Sequence, residues 1–189
     1  MRTCLLIYFL ITFTACHVDV KVKRNYELYF DGQTYQTFQK GLEAYQKNDY
    51  KNADSLLTLV INKSKDNLSI AMPIEFNPYY YRGHNSFELE KYEQSIKDFD
   101  HVVSDTTTNT DILIVKTEAF KMLQQYDTAI SLCNRLLKLN IDSSIIFEQT
   151  GVCYFQKGIM ENACADFMLS KKLAKGDTPQ LDKFLKNCK

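Results

Sequence analysis

A four-fold internal repeat dominates this 189-residue sequence. Four segments align without gaps, and each contains two mostly small residues separated by twelve positions. The pairs are Gly41 and Ala53, Gly83 and Ser95, Thr117 and Ala129, and Gly151 and Ala163. The second members fall at positions 53, 95, 129 and 163, which gives spacings of 42, 34 and 34 residues. A regular period of this size predicts an array of stacked supersecondary units.

Each repeated segment has the pattern of two helices joined by a short turn. A bulky residue stands three positions before the second small residue, and a bulky residue or cysteine stands four positions after it. Polar dipeptides at 48–49, 90–91 and 124–125, and Lys157-Gly158 in the fourth segment, separate the apolar stretches. Small residues let antiparallel helices approach closely, and bulky residues fill the space between repeats. We therefore expect four helical hairpins.

The 34-residue period with this pattern resembles the tetratricopeptide repeat (TPR), and the resemblance covers roughly residues 34 to 175. It implies an all-α fold, a right-handed α-solenoid of about four hairpins, with an unrelated helical bundle as the alternative. We expect the array over residues 34–177 and a capping helix over 178–189. Thr178 suits the cap and Pro179 the first turn of that helix. Its apolar face at i, i+3, i+4 and i+7 consists of Leu181, Phe184, Leu185 and Cys188.

The first interval is eight residues longer than the other two, so an insertion is expected near residues 64–78. Pro73 and Pro78 interrupt helix in this segment. Two arrangements are open. Either the helix is lengthened and followed by a loop, or an exposed loop packs Met72 and Phe76 back onto the solenoid.

The first fifteen residues resemble the signal peptide of a bacterial lipoprotein. Arg2 is basic, and the apolar run that follows is too short to span a bilayer. The ending Phe13-Thr14-Ala15-Cys16 resembles a lipobox, which implies cleavage before Cys16 and stable anchoring by acyl chains on its sulfur. Residues 16–33 would form an extended tether or a short edge strand. The expected location is the bacterial cell envelope, on the periplasmic face of the outer membrane. An ordinary cleaved signal peptide is the alternative.

Composition and motifs argue against catalysis and nucleic-acid binding. Lys+Arg and Asp+Glu each number 23, so the chain lacks the basic excess typical of nucleic-acid binders. It has no glycine-rich phosphate loop, serine elbow or zinc-binding pair. His84 with Glu88, and Asp98 with His101, could begin a metal or acid–base site, but solvated helix-face pairs are the simpler interpretation. We expect no enzyme activity, no cofactor, no metal and no small-molecule substrate.

The cysteines suggest a covalent link. Exported compartments permit disulfides. Cys164 follows the small Ala163 in repeat four, and Cys188 lies on the apolar face of the terminal helix that should pack there. We favour a Cys164–Cys188 disulfide, with buried free thiols as the alternative. Cys133 and Cys153 occupy repeat-packing positions, and we favour free thiols for both.

The TPR resemblance implies a concave groove, lined by the first helix of each hairpin, that binds a peptide or protein. Only Lys121 among the expected residues is clearly basic, whereas the family's carboxylate clamp needs several Lys, Arg and Asn side chains. The groove suits an apolar or aromatic-anchored segment. The expected function is a membrane-anchored interaction scaffold; the alternative is a dedicated subunit of an outer-membrane assembly or cell-wall remodelling complex. The expected partner-binding residues are Phe38, Leu42, Tyr45, Tyr80, His84, Phe87, Glu118, Lys121, Met122, Glu148 and Phe155.

Overall fold

The computed structural model describes residues 29–64, 68, 72–102, 110–139, 143–174 and 179–188. Within these ranges the chain forms nine α-helices and one short 3₁₀ turn, and no strand. The predicted signal peptide, the predicted lipid-attachment residue Cys16 and most of the predicted tether lie outside the described residues. The helices are α1 (Gly32–Gln46), α2 (Tyr50–Ser64), α3 (Pro78–Glu88), α4 (Tyr92–Val102), α5 (Thr110–Met122), α6 (Tyr126–Leu137), α7 (Ser143–Gln156), α8 (Met160–Leu173) and α9 (Pro179–Leu185).

The helices pair into four hairpins, α1–α2, α3–α4, α5–α6 and α7–α8, and α9 packs on α8. Each hairpin contacts the next through α2–α3, α4–α5 and α6–α7. Contacts therefore connect mainly neighbours along the chain, which is the arrangement of a solenoid. The expectation of an all-α solenoid of four hairpins with a final helix is confirmed.

Each hairpin closes through the same left-handed turn. Asn48, Glu90, Gln124 and Gly158 have φ angles of 60°, 58°, 57° and 76°. In the first hairpin, the amide of Asn48 donates to the carbonyl of Tyr45 and the next amide donates to that of Ala44, both at 2.9 Å. Such bonds satisfy carbonyl groups that would lack a partner at a helix end. The turns thus fall at the polar dipeptides and follow the same period as the small residues.

Close helix approach explains the glycines of the repeat pattern. A Cβ atom on Gly83 would lie 2.8 Å from Cε1 of Phe99, and one on Gly151 would lie 2.7 Å from Cδ1 of Phe167. Both separations are shorter than real Cβ contacts, so the two rings occupy the space that a side chain would need. The second small residues of the four pairs are fully buried; they are Ala53, Ser95, Ala129 and Ala163.

In the described part of the insertion, Met72 and Phe76 pack onto the solenoid, as the second of the two arrangements predicts. Helix α2 ends at Ser64, and a 3₁₀ turn (Ile74–Phe76) precedes α3. Met72 and Phe76 keep only 4% and 7% of their surfaces exposed. They join a core cluster with Phe30, Phe38, Leu57 and Val60. The inserted segment therefore adds to the hydrophobic core of repeat one.

A buried ion pair within repeat two is also hydrogen-bonded to repeat one. Arg82 of α3 donates from Nε and Nη2 to the two carboxylate oxygens of Asp98 in α4, at 2.8 and 2.7 Å. Its Nη1 donates to Thr58 of α2 at 3.1 Å. Burial alone would lower the pKa of Arg82, but the hydrogen bonds and charge of the fully buried Asp98 raise it above its usual value. His101, which the sequence places near Asp98, instead stacks on Tyr79 with ring centroids 4.5 Å apart.

Covalent and apolar contacts hold the final helix on the last hairpin. A disulfide joins Cys164 of α8 to Cys188, with the two Cα atoms 5.5 Å apart. Leu181 is almost fully buried, and the ring of Phe184 stacks on Phe167 at 4.6 Å between centroids. The predicted cap Thr178 lies outside the described residues.

The remaining cysteines of the described hairpins, Cys133 and Cys153, are free and buried. Burial raises the pKa of Cys133 to about 12 and that of Cys153 to about 11. Both thiols therefore stay protonated near neutral pH and pack as small apolar groups. None of the described helices combines the length and apolar character that crossing a membrane requires.

Candidate partner-binding groove

The predicted groove residues lie on α1, α3, α5 and α7, the first helices of the four hairpins. Helix α3 contacts both α1 and α5, and α5 and α7 share a pocket. These contacts connect the four helices into one continuous surface, which we call the first-helix face. Met122 has 56% of its surface exposed there. The partly exposed members of the predicted set are Leu42, Tyr45, Tyr80, His84, Phe87, Glu118, Lys121, Glu148 and Phe155.

Phe38 is a correction to the predicted set. Its side chain is fully buried. The ring of Phe30, just before α1, lies 5.4 Å from it, and the ring of Tyr81 lies 5.7 Å from it. Met72 and Phe76 of the insertion complete the same cluster. Phe38 therefore belongs to the core of repeat one rather than to an accessible groove.

A polar cluster lies on the first-helix face where repeat two meets repeat three. The hydroxyl of Tyr80 donates to Oδ2 of Asp111 at 2.7 Å. Nε2 of His84 lies 2.9 Å from the same oxygen, without the angle that a hydrogen bond requires. Burial and the bond to Asp111 raise the pKa of Tyr80. Burial also raises the pKa of Tyr45 in repeat one, with a contribution from the charge of Glu88. The tyrosine hydroxyls thus remain protonated beside carboxylates.

The ammonium group of Lys121 forms an ion pair and a hydrogen bond within the protein. Its Nζ lies 3.1 and 3.0 Å from the two carboxylate oxygens of Glu118. It also donates a short hydrogen bond to the side-chain oxygen of Gln149 on α7. Its side chain is only 14% exposed. The lysine therefore joins repeat three to repeat four, and its charge is balanced by that of Glu118.

An apolar pocket opens on this face where repeats three and four meet. Its volume is about 70 Å³. Glu118 is the member of its lining that belongs to the predicted partner-binding set. The sequence does indicate this pocket, because Thr117 and Cys133 stand where repeats two and four have glycine and phenylalanine. The lining residues are Ile114, Thr117, Glu118, Cys133, Leu136, Ile145, Ile146 and Gln149; we call this the repeat-three pocket.

The terminal helix closes part of the face at repeat four. The ring of Phe155 lies 5.3 Å from that of Phe184 in α9, in an edge-on arrangement. Phe87 in repeat two similarly lies 5.5 Å from the ring of Tyr92. Both of these predicted groove residues therefore pack partly against other side chains of the protein, which leaves less of each ring available to a partner.

A second concavity lies away from the first-helix face. This larger concavity of about 290 Å³ lies between α6, α7 and α8, with Asn134, Tyr154, Glu161 and Asp166 among its lining residues. Burial raises the pKa of Asp166 there, against a hydrogen bond from Thr150 that lowers it. The part of the chain that the structure describes holds no group of three or more His, Cys, Asp or Glu side chains that could bind a metal.

Comparison with known proteins identifies the fold. No protein-family model matches the sequence, and no curated protein matches it. Among solved structures, the MamA RS-1 double mutant is 14% identical, with a TM-score of 0.67 over 82% of each chain. A TPR protein from Parabacteroides merdae is 20% identical, with a TM-score of 0.65 over 82% of this chain and 62% of that one. The fold is that of a TPR solenoid.

A third solved structure is also similar to this chain. A thermophilic TPR protein of Thermus thermophilus is 17% identical, with a TM-score of 0.53 over 82% of this chain and 80% of that one. Sequence identities this low show a shared TPR backbone arrangement. They transfer no binding partner to this chain.

Proposed function

We propose that the chain is a non-enzymatic scaffold that binds a segment of a partner protein on its first-helix face. The observation that carries this proposal is the continuity of that face across four repeats, with aromatic, aliphatic and carboxylate side chains partly exposed along it. Aromatic side chains supply much of the binding energy at protein interfaces. Amphipathic or extended segments commonly bind grooves of this shape.

Two exposed methionines provide a matched test of the binding face. Met122 lies on the first-helix face and Met168 lies on the second helix of repeat four, and both have 56% of their surfaces exposed. A photo-crosslinking amino acid at Met122 should capture the partner in cells, whereas one at Met168 should not. Capture from Met168 alone would contradict the proposed face. One partner captured in fixed stoichiometry would favour a dedicated assembly subunit over a general scaffold.

We also propose that Cys16 carries the lipid that anchors the protein to a bacterial envelope membrane, on the periplasmic face of an outer membrane. The support is the short apolar run followed by Phe13-Thr14-Ala15-Cys16. Cys16→Ala should abolish incorporation of labelled palmitate and release the protein from membranes. Cys133→Ala, which removes a buried thiol elsewhere, is the control and should keep the label. Equal labelling of the wild type and Cys16→Ala would exclude the anchor.

A further inference from the structure

The repeat-three pocket exists because this hairpin lacks a large group that two other repeats have. In repeats two and four, Phe99 and Phe167 press against a glycine on the facing helix. The equivalent position in repeat three is Cys133, opposite Thr117. A cysteine and a threonine fill less space than a phenylalanine ring can. The volume that remains opens onto the first-helix face as a cavity of about 70 Å³.

The pocket wall is apolar, and its two most exposed members are aliphatic. Leu136 and Ile146 are buried, whereas Ile114 and Ile145 keep 42% and 55% of their surfaces exposed. Covering exposed branched side chains beside a small apolar cavity with another apolar group removes apolar surface from water, which favours binding. An apolar cavity of roughly 150 Å³ can hold benzene. The repeat-three pocket, at half that volume, suits a branched aliphatic group better than an aromatic ring.

The charges around the pocket indicate what must accompany that aliphatic group. Glu118 lines the pocket, and Glu148 lies next to the lining residue Gln149. Asp111 lies on the same helix as Glu118. Lys121, the lysine of the predicted set, already binds Glu118 and Gln149. A segment with lysine or arginine beside its aliphatic residue would complement the remaining carboxylates, Glu148 and Asp111.

We propose that the repeat-three pocket binds a valine- or leucine-sized side chain from a basic segment of a partner protein. This inference rests on the proposed scaffold function and specifies the chemistry of its partner. The aliphatic group anchors the segment between α5 and α7, and flanking cations face Glu148 and Asp111. Electrostatic complementarity sets the preference for basic segments, and the pocket volume sets the preference for the anchor.

Synthetic peptides test both preferences on the full chain in mild detergent. Fluorescein-labelled eleven-residue peptides would carry leucine, alanine or phenylalanine at the centre, with lysines or glutamates on both sides. The lysine-flanked leucine peptide should bind at least tenfold more tightly than its alanine and phenylalanine counterparts, because leucine buries additional methyl groups and phenylalanine is too large. Equal affinity for all central residues, preference for glutamate flanks, or absence of binding would overturn the proposal.

Three variants of the protein locate the binding site. Thr117→Gly combined with Cys133→Phe fills the pocket with the pair found in repeats two and four, and Ile145→Asn replaces an exposed aliphatic side chain of its lining by a neutral polar one. Both should weaken the leucine peptide at least tenfold, and Met168→Asn should leave its affinity unchanged. Ile145→Asn keeps the proposal testable if the double variant folds poorly. Unchanged affinity in Ile145→Asn would overturn the proposal.

The same experiments separate the pocket from the scaffold function. If Met122 still captures a partner while the peptides fail to discriminate, the pocket inference fails and the scaffold function stands. If crosslinking finds no partner on the first-helix face, the scaffold function fails. A second copy of the chain as occupant would appear in sedimentation as a dimer that Ile145→Asn dissociates, and this result would also overturn the proposal.

Discussion

The exchange of Thr117 and Cys133 for glycine and phenylalanine makes a quantitative prediction about packing in repeat three. Cβ atoms on Gly83 and Gly151 would come within 2.8 and 2.7 Å of the facing rings. Thr117 carries such a Cβ atom, and its hydroxyl donates to the carbonyl of Leu113 at 2.8 Å. A phenylalanine at position 133 therefore cannot adopt the ring position of repeats two and four while Thr117 remains.

Cys133→Phe alone should lower the free energy of unfolding by about 1–3 kcal/mol, the usual range for overpacking a core. Thr117→Gly alone should also be destabilising, because it removes buried atoms and places glycine within a helix, where glycine costs roughly 1 kcal/mol relative to alanine. The double variant should lose less unfolding free energy than the two single variants lose together. The difference is the coupling energy between the contacting residues, and we expect it to be about 1–3 kcal/mol.

Urea denaturation of all four proteins, followed by circular dichroism, would measure this coupling. Because repeats in a solenoid can unfold separately, hydrogen exchange over α5 and α6 should accompany it. The reverse exchange in repeat two, Gly83→Thr with Phe99→Cys, is the matched control and should show coupling of the same sign. Additive effects in both cycles would refute the explanation of the repeat-three pocket.

Three further predictions concern the turns, the disulfide and the buried thiols. Gln124→Gly should stabilise the protein by roughly 1 kcal/mol, because a left-handed backbone costs about that for residues with a Cβ; Gly158→Ala at the equivalent turn should destabilise it in the same urea assay. Cys164→Ala should cost about 3 kcal/mol on the chain-entropy model and accelerate hydrogen exchange in α9, whereas unchanged exchange would contradict a structural role for the bridge. Stability should fall as the pH rises from about 9 toward 12, because folding raises the thiol pKa values and the unfolded chain loses those protons first; replacing Cys133 and Cys153 with alanine should make this fall shallower.

The repeat spacing made most of the fold predictable. Helical hairpins, turns and the close approach of Gly83 and Gly151 all follow from residues at fixed separations within one repeat. Phe38 could not be placed correctly in this way. Its burial depends on Phe30 and on the insertion, neither of which belongs to the repeat pattern.

The candidate site was less predictable because it depends on pairs of residues from different helices. The repeat-three pocket requires Cys133 and Thr117 to be considered together, although each alone is an unremarkable substitution. The ion pair of Arg82 and Asp98 was missed for the same reason. Helical spacing suggested His101 as a neighbour of Asp98, whereas the actual partner lies on the facing helix.

The disulfide in repeat four should determine which end of the solenoid unfolds first. In a linear stack, terminal units lose the fewest contacts on opening, so fraying begins at the ends. Cys164 and Cys188 restrict fraying at the repeat-four side, so the stack should unravel first from repeat one. A partner segment bound between repeats three and four would then keep its site while the opposite side of the solenoid opens and closes.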